Sequence, residues 1–151
     1  MKNWIAALAA TAFVGVAVAT GPIYPETSRA EADVKAALAE AAKTKRRVLV
    51  DFGGNWCGDC KVLDAHFQKP ENAALLGSRY VLVHVNVGDK GIDSNFALAE
   101  RYGIPLKKGV PALAVLEPDG HVVHAQRSGE FESMRAMDPK SVNDFLVKWS
   151  K

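Results

Sequence analysis

Cysteine is scarce in this sequence: its 151 residues include two, and both belong to one Cys-x-x-Cys motif, at Cys57 and Cys60. Disulfides that stabilise a fold usually join distant segments, because closing a longer loop gives more stabilisation, so this short spacing makes a poor structural cross-link. Structural zinc needs about four ligands, which two cysteines and four separated histidines match poorly. Lys61 follows Cys60 where covalent haem attachment needs a histidine. The pattern favours redox chemistry, with an inert disulfide as the alternative.

Charge of one sign is not in large excess either. The formal net charge is +2, and basic residues cluster only at positions 43–47 and at Lys107-Lys108. A nucleic-acid-binding surface usually carries a concentrated basic patch, so the composition speaks against a nucleic-acid partner. With 48% hydrophobic and 24% charged residues, the chain has the composition of one ordinary globular domain.

A hydrophobic run long enough to span a membrane is also missing. Lys2 precedes an uncharged, Ala/Val-rich run over residues 4–18, which ends in Ala17-Val18-Ala19. The run is shorter than the roughly 20 residues of a spanning helix, so a cleaved signal peptide over residues 1–19 is favoured over a retained anchor. No cysteine lies near this site, which excludes a lipid-anchored lipoprotein. We therefore expect an exported, periplasmic protein with a linker at 20–27 and one domain at 28–151.

Hydrophobic periodicity predicts an α/β order in the first half of that domain. The capping-box pattern Ser28-Arg29-Ala30-Glu31 predicts a helix that runs to about Lys43. Residues 48–52 form a nearly continuous apolar run, which is typical of a strand covered on both faces. A turn at 55–60 should then lead into a helix that ends before Pro70.

The second half predicts a parallel crossover followed by a hairpin. A strand is expected at 80–87 and a helix at 94–102, and strands at 111–116 and 121–125 flank a turn signal. Asp138-Pro139 should begin a closing helix with an apolar face made by Val142, Phe145, Leu146 and Trp149. The order is βαβαββα behind an N-terminal helix.

The two cysteines have different expected roles. A thiol attacks a disulfide only as a thiolate, and an unperturbed cysteine pKa of about 8.5 leaves little thiolate at neutral pH. At the entrance of a helix, free N–H groups and the helix dipole favour the anion, so Cys57 is the predicted nucleophile. Cys60 lies one turn further in, where it can attack the mixed disulfide at Cys57 as the resolving thiol.

Taken together, these motifs resemble the thioredoxin family, in particular its exported bacterial thioredoxin-like and disulfide-isomerase-like members. The resemblance rests on Val50-Asp51-Phe52, Trp56-Cys57-Gly58-Asp59-Cys60-Lys61, Tyr102-Gly103-Ile104 and Gly109-Val110-Pro111, and extends from about Val34 to Trp149. It implies an α/β thioredoxin fold with three α/β/α layers, a central mixed sheet and an N-terminal helical extension.

The resemblance also implies roles for residues around the dithiol. Pro111 should follow a cis peptide bond and lie against the dithiol, with Val110 offering backbone hydrogen bonds to substrate; a plain strand-edge proline is the alternative. Asp51 should be a buried acid that exchanges a proton with Cys60, unless it reaches solvent or pairs with a lysine. Trp56 should shield the site and contact partners, or simply pack. His84 could modulate Asp51, although a strand histidine is more often packed or solvated.

Three features depart from the family pattern. Asp59 stands where typical thioredoxins have proline, and its negative charge should disfavour the Cys57 thiolate and make the disulfide slightly less oxidising. The loop 105–109 and the segment 130–137 are longer than usual. Both could border the active site, or vary without function.

The predicted activity is that of an enzyme, a protein thiol-disulfide oxidoreductase that acts as a reductase or isomerase. Its substrates are protein thiols or disulfides, a membrane protein supplies electrons, and neither a metal nor an organic cofactor is needed. We expect a monomer, since the chain leaves no room for a dimerisation domain. A non-catalytic binding or chaperone-like module is the alternative, because a fold alone does not fix function. A peroxide-reducing relative is less favoured, since no Arg or Thr is placed to supply peroxidatic surroundings.

Overall fold

The computed structural model describes residues 21–151. The signal peptide predicted over 1–19 lies outside the described residues. The helices are α1 (Ala30–Thr44), α2 (Gly58–Phe67), α3 (Pro70–Arg79), α4 (Phe96–Arg101) and α5 (Ser141–Lys148), and the strands are β1 (Arg47–Gly53), β2 (Tyr80–Asn86), β3 (Ala112–Leu116) and β4 (Val122–Ala125). Short 3-10 turns occur at Thr27–Arg29, Leu106–Lys108 and Met134–Ala136.

The four strands form one mixed sheet in the order β2-β1-β3-β4. Strand β1 pairs in parallel with β2 and antiparallel with β3, and β3 and β4 form the predicted antiparallel hairpin. In this register Asp51 lies between His84 on β2 and Leu113 on β3. The central place of β1 explains its apolar run, because both faces of the strand are covered.

Helices cover both faces of the sheet and create two apolar cores. One core joins Val34 and Ala41 of α1 and Leu98 of α4 to Val48, Val50 and Phe52. The other joins residues from α2, α3 and α5 to Leu49 of β1, namely Leu63, Phe67, Leu76, Phe145 and Leu146. The predicted α/β fold with three layers is therefore confirmed. Asp51 and Gly53 share the face of Leu49, because side chains alternate along a strand.

Two predicted helix starts are wrong. Helix α1 begins at Ala30 behind a 3-10 turn, and its first turn receives no side-chain cap, so Ser28 does not form the predicted capping box. Helix α5 begins at Ser141 rather than at Asp138-Pro139. The Asp138 carboxylate instead accepts a hydrogen bond from the Lys140 N–H at 2.8 Å, which closes a turn just ahead of the helix. Local polar side chains can satisfy turns as well as helix ends, and the sequence pattern alone does not separate the two.

Helix α3 is not predicted by the sequence analysis, which interprets Pro70 only as the residue that interrupts the preceding helix. Pro70 is the first residue of α3, where its missing N–H needs no partner. Helix α4 is shorter than predicted: it starts at Phe96, after Asn95 adopts a left-handed conformation with φ 60°. Trp149 follows α5 but still packs against the core beneath it. Across residues 21–151, each helix falls short of the length and apolar character needed to cross a bilayer.

Candidate active site

The turn between β1 and α2 places Cys57 at the N-terminus of α2. Cys57 is the N-cap residue of this helix, with φ −83° and ψ 112°, and its N–H donates to the Gly54 carbonyl oxygen at 3.1 Å. Its Sγ accepts a hydrogen bond from the Cys60 N–H at 3.1 Å. The first turn of the helix therefore directs an N–H group at the sulfur, which stabilises negative charge on it.

The two cysteines form a disulfide and differ in exposure. Cys57 is 6% exposed, whereas Cys60 is fully buried. This is the order of accessibility that the sequence predicts for an attacking and a resolving thiol. Within residues 21–151, no cluster of three or more His, Cys, Asp or Glu side chains has the geometry of a metal site.

Val110 and Pro111 lie beside the disulfide. Their peptide bond is cis, as the resemblance implies, and the Val110 carbonyl oxygen lies 3.6 Å from Cys57 Sγ. Gly109 precedes them with φ 101°, a backbone conformation that side chains other than glycine rarely adopt. The loop thus places the backbone of Val110 next to the more accessible sulfur.

Trp56 both packs and faces solvent. Its indole Nε1 donates to the Gly88 carbonyl oxygen at 2.8 Å, and the ring lies so close to Gly54 that a Cβ there would clash with it. The side chain is still 40% exposed. Trp56 is therefore an anchored apolar surface immediately before Cys57.

Asp51 is fully buried and enclosed by β1, β2 and the N-terminal segment. Its Oδ2 accepts a hydrogen bond from the Tyr24 hydroxyl at 2.8 Å and lies 2.8 Å from His84 Nδ1. Its other oxygen, Oδ1, has no hydrogen-bond partner among the described residues. The alternative in which Asp51 reaches solvent or pairs with a lysine is therefore wrong.

His84 contacts Asp51 directly and is not simply a packed or solvated residue of the strand. Burial lowers the pKa of His84, but the hydrogen bond to Asp51 and the charges of Asp51 and Asp64 outweigh it, so the pKa lies above its usual value of 6.5. The side chain keeps 20% of its surface exposed. His84 therefore connects the buried carboxyl to the outside of the protein.

Tyr24 is the site residue that the sequence pattern does not reveal, because it lies in the segment interpreted as a linker. It is 1% exposed, and burial together with the neighbouring Asp51 carboxylate raises its pKa well above the usual value. Asn55 holds the segment in place: its side chain accepts from the Tyr24 N–H at 3.0 Å and donates to the Tyr24 carbonyl oxygen at 2.8 Å. No local pattern in the sequence indicates this contact, because Asn55 and Tyr24 are 31 positions apart.

Asp59 is not the uncompensated charge that its place in the motif suggests. Its carboxylate accepts hydrogen bonds from the Arg135 backbone N–H at 2.9 Å, from Nε at 3.2 Å and from Nη2 at 3.1 Å. Burial of Asp59 raises its pKa, but these bonds and the Arg135 charge have the larger combined effect and lower it. The physical basis for a less oxidising disulfide is therefore largely removed.

Both of the longer loops border this site. Arg135 belongs to the 130–137 segment, and its guanidinium would lie 3.6 Å from a Cβ at Gly58, between the two cysteines. The 105–109 loop ends at Gly109, where a Cβ would lie 2.9 Å from the Glu132 Cβ. The two loops thus pack against each other beside Cys57. This agrees with the interpretation that they border the active site.

Comparisons with known proteins agree with this geometry. Residues 29–118 match the sequence model of the family described as "Thioredoxin-like". The chain belongs to the thioredoxin-like family. A crystal structure described as a disulphide isomerase from Xylella fastidiosa Temecula1 covers 88% of this chain and is itself covered completely, with a TM-score of 0.80 and 34% identity.

Three curated relatives are much longer proteins. The thiol:disulfide interchange protein DsbD 2 of Pseudomonas aeruginosa is 30% identical over 78% of this chain, and DsbD of Pseudomonas fluorescens is 28% identical over 83%. A protein disulfide-isomerase of Ricinus communis is 30% identical over 68%. The chain spans 18% or 19% of the length of these three relatives. The Tyr24 segment lies ahead of the matched family region.

Proposed function

We propose that this thioredoxin-like chain is an exported protein thiol-disulfide oxidoreductase. The observation that carries the proposal is the Cys57–Cys60 disulfide at the N-terminus of α2, with the Val110 carbonyl oxygen 3.6 Å from Cys57 Sγ. The relatives named as disulfide isomerases and interchange proteins support the same chemistry. The redox equivalents are held by the two sulfurs.

In the reducing direction, the Cys57 thiolate attacks a substrate disulfide. A bond forms between Cys57 and one substrate sulfur, and the other substrate sulfur leaves as a thiolate that takes a proton from solvent. The Cys60 thiol then loses its proton and attacks Cys57, which releases the second substrate thiolate and forms the Cys57–Cys60 disulfide. The substrate gains two electrons and the protein loses two. The buried Asp51 carboxyl is the proposed proton acceptor for Cys60.

The surface around Cys57 suits an extended protein substrate. Trp56 offers a fixed apolar face, and the Val110 backbone next to Pro111 offers hydrogen-bonding groups within reach of the same sulfur. Backbone recognition does not depend on the substrate side chains. We therefore propose that protein substrates bind through Trp56, Val110 and Pro111, and that the sequence of the substrate has little effect on binding.

The uncharged run over residues 4–18 and the small residues before Thr20 support export to the periplasm with cleavage near Ala19. On this proposal the thioredoxin-like domain covers 28–151 and a membrane protein supplies electrons. The monomeric state stays a prediction. The direction of exchange depends on the reduction potential: about −270 mV would indicate a reductant and about −120 mV a disulfide donor.

A reduction assay tests the proposed activity directly. The signal-free protein with dithiothreitol should accelerate insulin reduction, and Cys57→Ser should abolish the acceleration because the attacking thiol is gone. Cys60→Ser should retain attack and accumulate a mixed disulfide that mass spectrometry detects. If the wild-type protein binds unfolded substrates but does not reduce them, and Cys57→Ser binds them equally well, the chain is a binding module instead.

A further inference from the structure

The Tyr24 hydroxyl contacts the buried acid and approaches the same backbone position as the buried cysteine. Its oxygen is 2.8 Å from Asp51 Oδ2. Gly53 indicates that Cys60 is nearby: a Cβ built at Gly53 would lie 2.9 Å from Cys60 Sγ and closer still to the Tyr24 hydroxyl oxygen. The absence of a side chain at Gly53 therefore lets the phenol and the sulfur approach the same point. Asp51 is two residues away on the same face of β1.

The carboxyl of Asp51 has a free oxygen and a route to solvent. Oδ1 is buried without a hydrogen-bond partner in the described part of the chain, whereas Oδ2 accepts from the Tyr24 hydroxyl and lies 2.8 Å from His84 Nδ1. His84 lies at a surface cleft, whereas Asp51 has no exposed surface. Among the described residues, His84 is the partner of Asp51 that contacts water, so it offers a route by which a proton on Asp51 can leave.

The charged groups around His84 are few and come from identified elements. Asp51 of β1 is in direct contact, and Asp64 of α2 acts on the imidazole at longer range. Arg29, Asp33 and Glu40, which belong to α1 or the turn before it, line the same cleft as His84. Arg29 and Asp33 pair with each other across 2.9 Å, so their charges largely cancel.

We propose that Tyr24 relays the proton of the resolving thiol to Asp51, and that His84 passes it on to solvent. This inference rests on the proposed function. In the resolving step the Cys60 proton moves to the Tyr24 oxygen while the Tyr24 hydroxyl proton moves to Asp51. The Cys60 thiolate then attacks Cys57, and the substrate leaves as a thiolate. Asp51 gives its proton to the unprotonated Nδ1 of a neutral His84, whose Nε2–H releases its proton to water. A proton returns by the same path when the protein is reduced again, which restores the first tautomer of His84.

Tyr24→Phe tests the relay, because it removes the hydroxyl and keeps the buried ring. Tyr80→Phe is the matched control: Tyr80 is also 1% exposed, and its hydroxyl donates to the Leu146 carbonyl oxygen at 2.7 Å, in the other apolar core. The reduced proteins are mixed with one equivalent of a chromogenic aromatic disulfide. The first release of aromatic thiolate reports attack by Cys57, and the second reports resolution by Cys60.

Tyr24→Phe should slow the second release about a hundredfold or more, the lower end of the usual contribution of general acid-base catalysis, and leave the first release unchanged. Tyr80→Phe should change neither phase. The relay is overturned if the second release is as fast in Tyr24→Phe as in Tyr80→Phe, or if both phases slow equally. Absence of both releases in the wild-type protein would instead contradict the proposed function.

His84→Asn provides a second readout that does not depend on Tyr24. It keeps a hydrogen-bonding group near Asp51 but does not titrate. The wild-type rate of the second release should show an inflection above pH 6.5, where His84 loses its proton, and this inflection should be missing in His84→Asn. An unchanged pH profile would overturn the part of the proposal that assigns His84 as the exit for the proton.

Discussion

The site depends on the absence of a side chain at Gly53. The Tyr24 hydroxyl and Cys60 Sγ both approach the position that a Cβ would occupy. Any larger residue must therefore push the phenol away from Asp51 or displace the buried sulfur. Neither group can move without losing packing contacts, because Tyr24 is 1% exposed and Cys60 is fully buried.

We expect Gly53→Ala to destabilise the protein by about 1–3 kcal/mol, the usual cost of overpacking a core. Gly77→Ala is the matched control, because Gly77 lies within α3 and a Cβ there would meet nothing within 4 Å. That substitution should be neutral or stabilise by up to about 1 kcal/mol. Urea unfolding of both variants measures the difference. Equal stability of the two variants would contradict the close packing described at Gly53.

At the scale of elements, the 3-10 turn at Met134–Ala136 docks on the N-terminus of α2. This contact brings Arg135 to Asp59 and holds a cation beside the dithiol. A segment distant in sequence therefore supplies the positive charge that pairs with Asp59 of the Cys-Gly-Asp-Cys motif. The pair is partly exposed, with 71% of the Arg135 side chain accessible, so its electrostatic effect should be small.

Arg135→Gln should make the disulfide less oxidising, by roughly 10 mV, because it removes a cation near the Cys57 thiolate and leaves Asp59 unpaired. Adding Asp59→Asn to this variant should restore most of the change. Arg79→Gln, at the far end of α3, serves as the control for loss of one positive charge. Equilibration with glutathione buffers measures the potential, and a more oxidising Arg135→Gln would show that the assigned sign is wrong.

At the scale of the whole molecule, the N-terminal segment closes one side of the sheet. Tyr24 joins the core that α1 and α4 form, and its hydroxyl reaches the opposite face of β1 at Asp51. Asn86 adds a further link, since its side chain donates to the Pro25 carbonyl oxygen at 2.9 Å. The segment is therefore joined to both β1 and β2 and contributes to the stability of the fold.

The pH dependence of global stability should report the Asp51–His84 pair. A histidine whose folded pKa is raised stabilises the fold fully below its unfolded pKa, and that contribution is lost as the pH rises through the folded value. The stability advantage of the wild-type protein over His84→Asn should therefore decline as the pH rises above 6.5. Burial lowers the pKa of His66 and of His124, but both proteins share this effect, so it cancels.

Denaturant unfolding at several pH values measures this difference. His121→Asn, at an exposed position in the β3–β4 turn, is the control and should follow the wild-type curve. A stability difference between wild type and His84→Asn that grows with pH would contradict a raised folded pKa of His84.

Much of the fold could be predicted because its signals are local. The apolar run at 48–52 and the turn at 117–120 each specify an element without help from the rest of the chain. Helix α3 could not be predicted as easily, because Pro70 can stop one helix or start another. The predicted start of α5 is wrong for a similar reason, because the Asp138 carboxylate caps a turn and not the helix.

The residues of the candidate site could likewise be predicted only in part. Cys57, Cys60 and Pro111 follow from adjacent residues and a family pattern, and the structure brings them together. Tyr24 and Arg135 come from segments 27 and 76 positions away from their partners Asp51 and Asp59. No periodicity links positions so far apart, so only the packing of the sheet and its helices reveals these contacts.

The sequence by itself determined the four strands, the helices other than α3, the order of the two cysteines and the resemblance to the thioredoxin family, because hydrophobic period and motif spacing act over a few residues. Only the tertiary structure decided the surroundings of the dithiol. It put Tyr24 and His84 on the carboxyl of Asp51, left Oδ1 without a partner in the described chain, and neutralised Asp59 with Arg135. These contacts depend on which distant segments pack together, and the charge and proton transfer at a buried site depend on them.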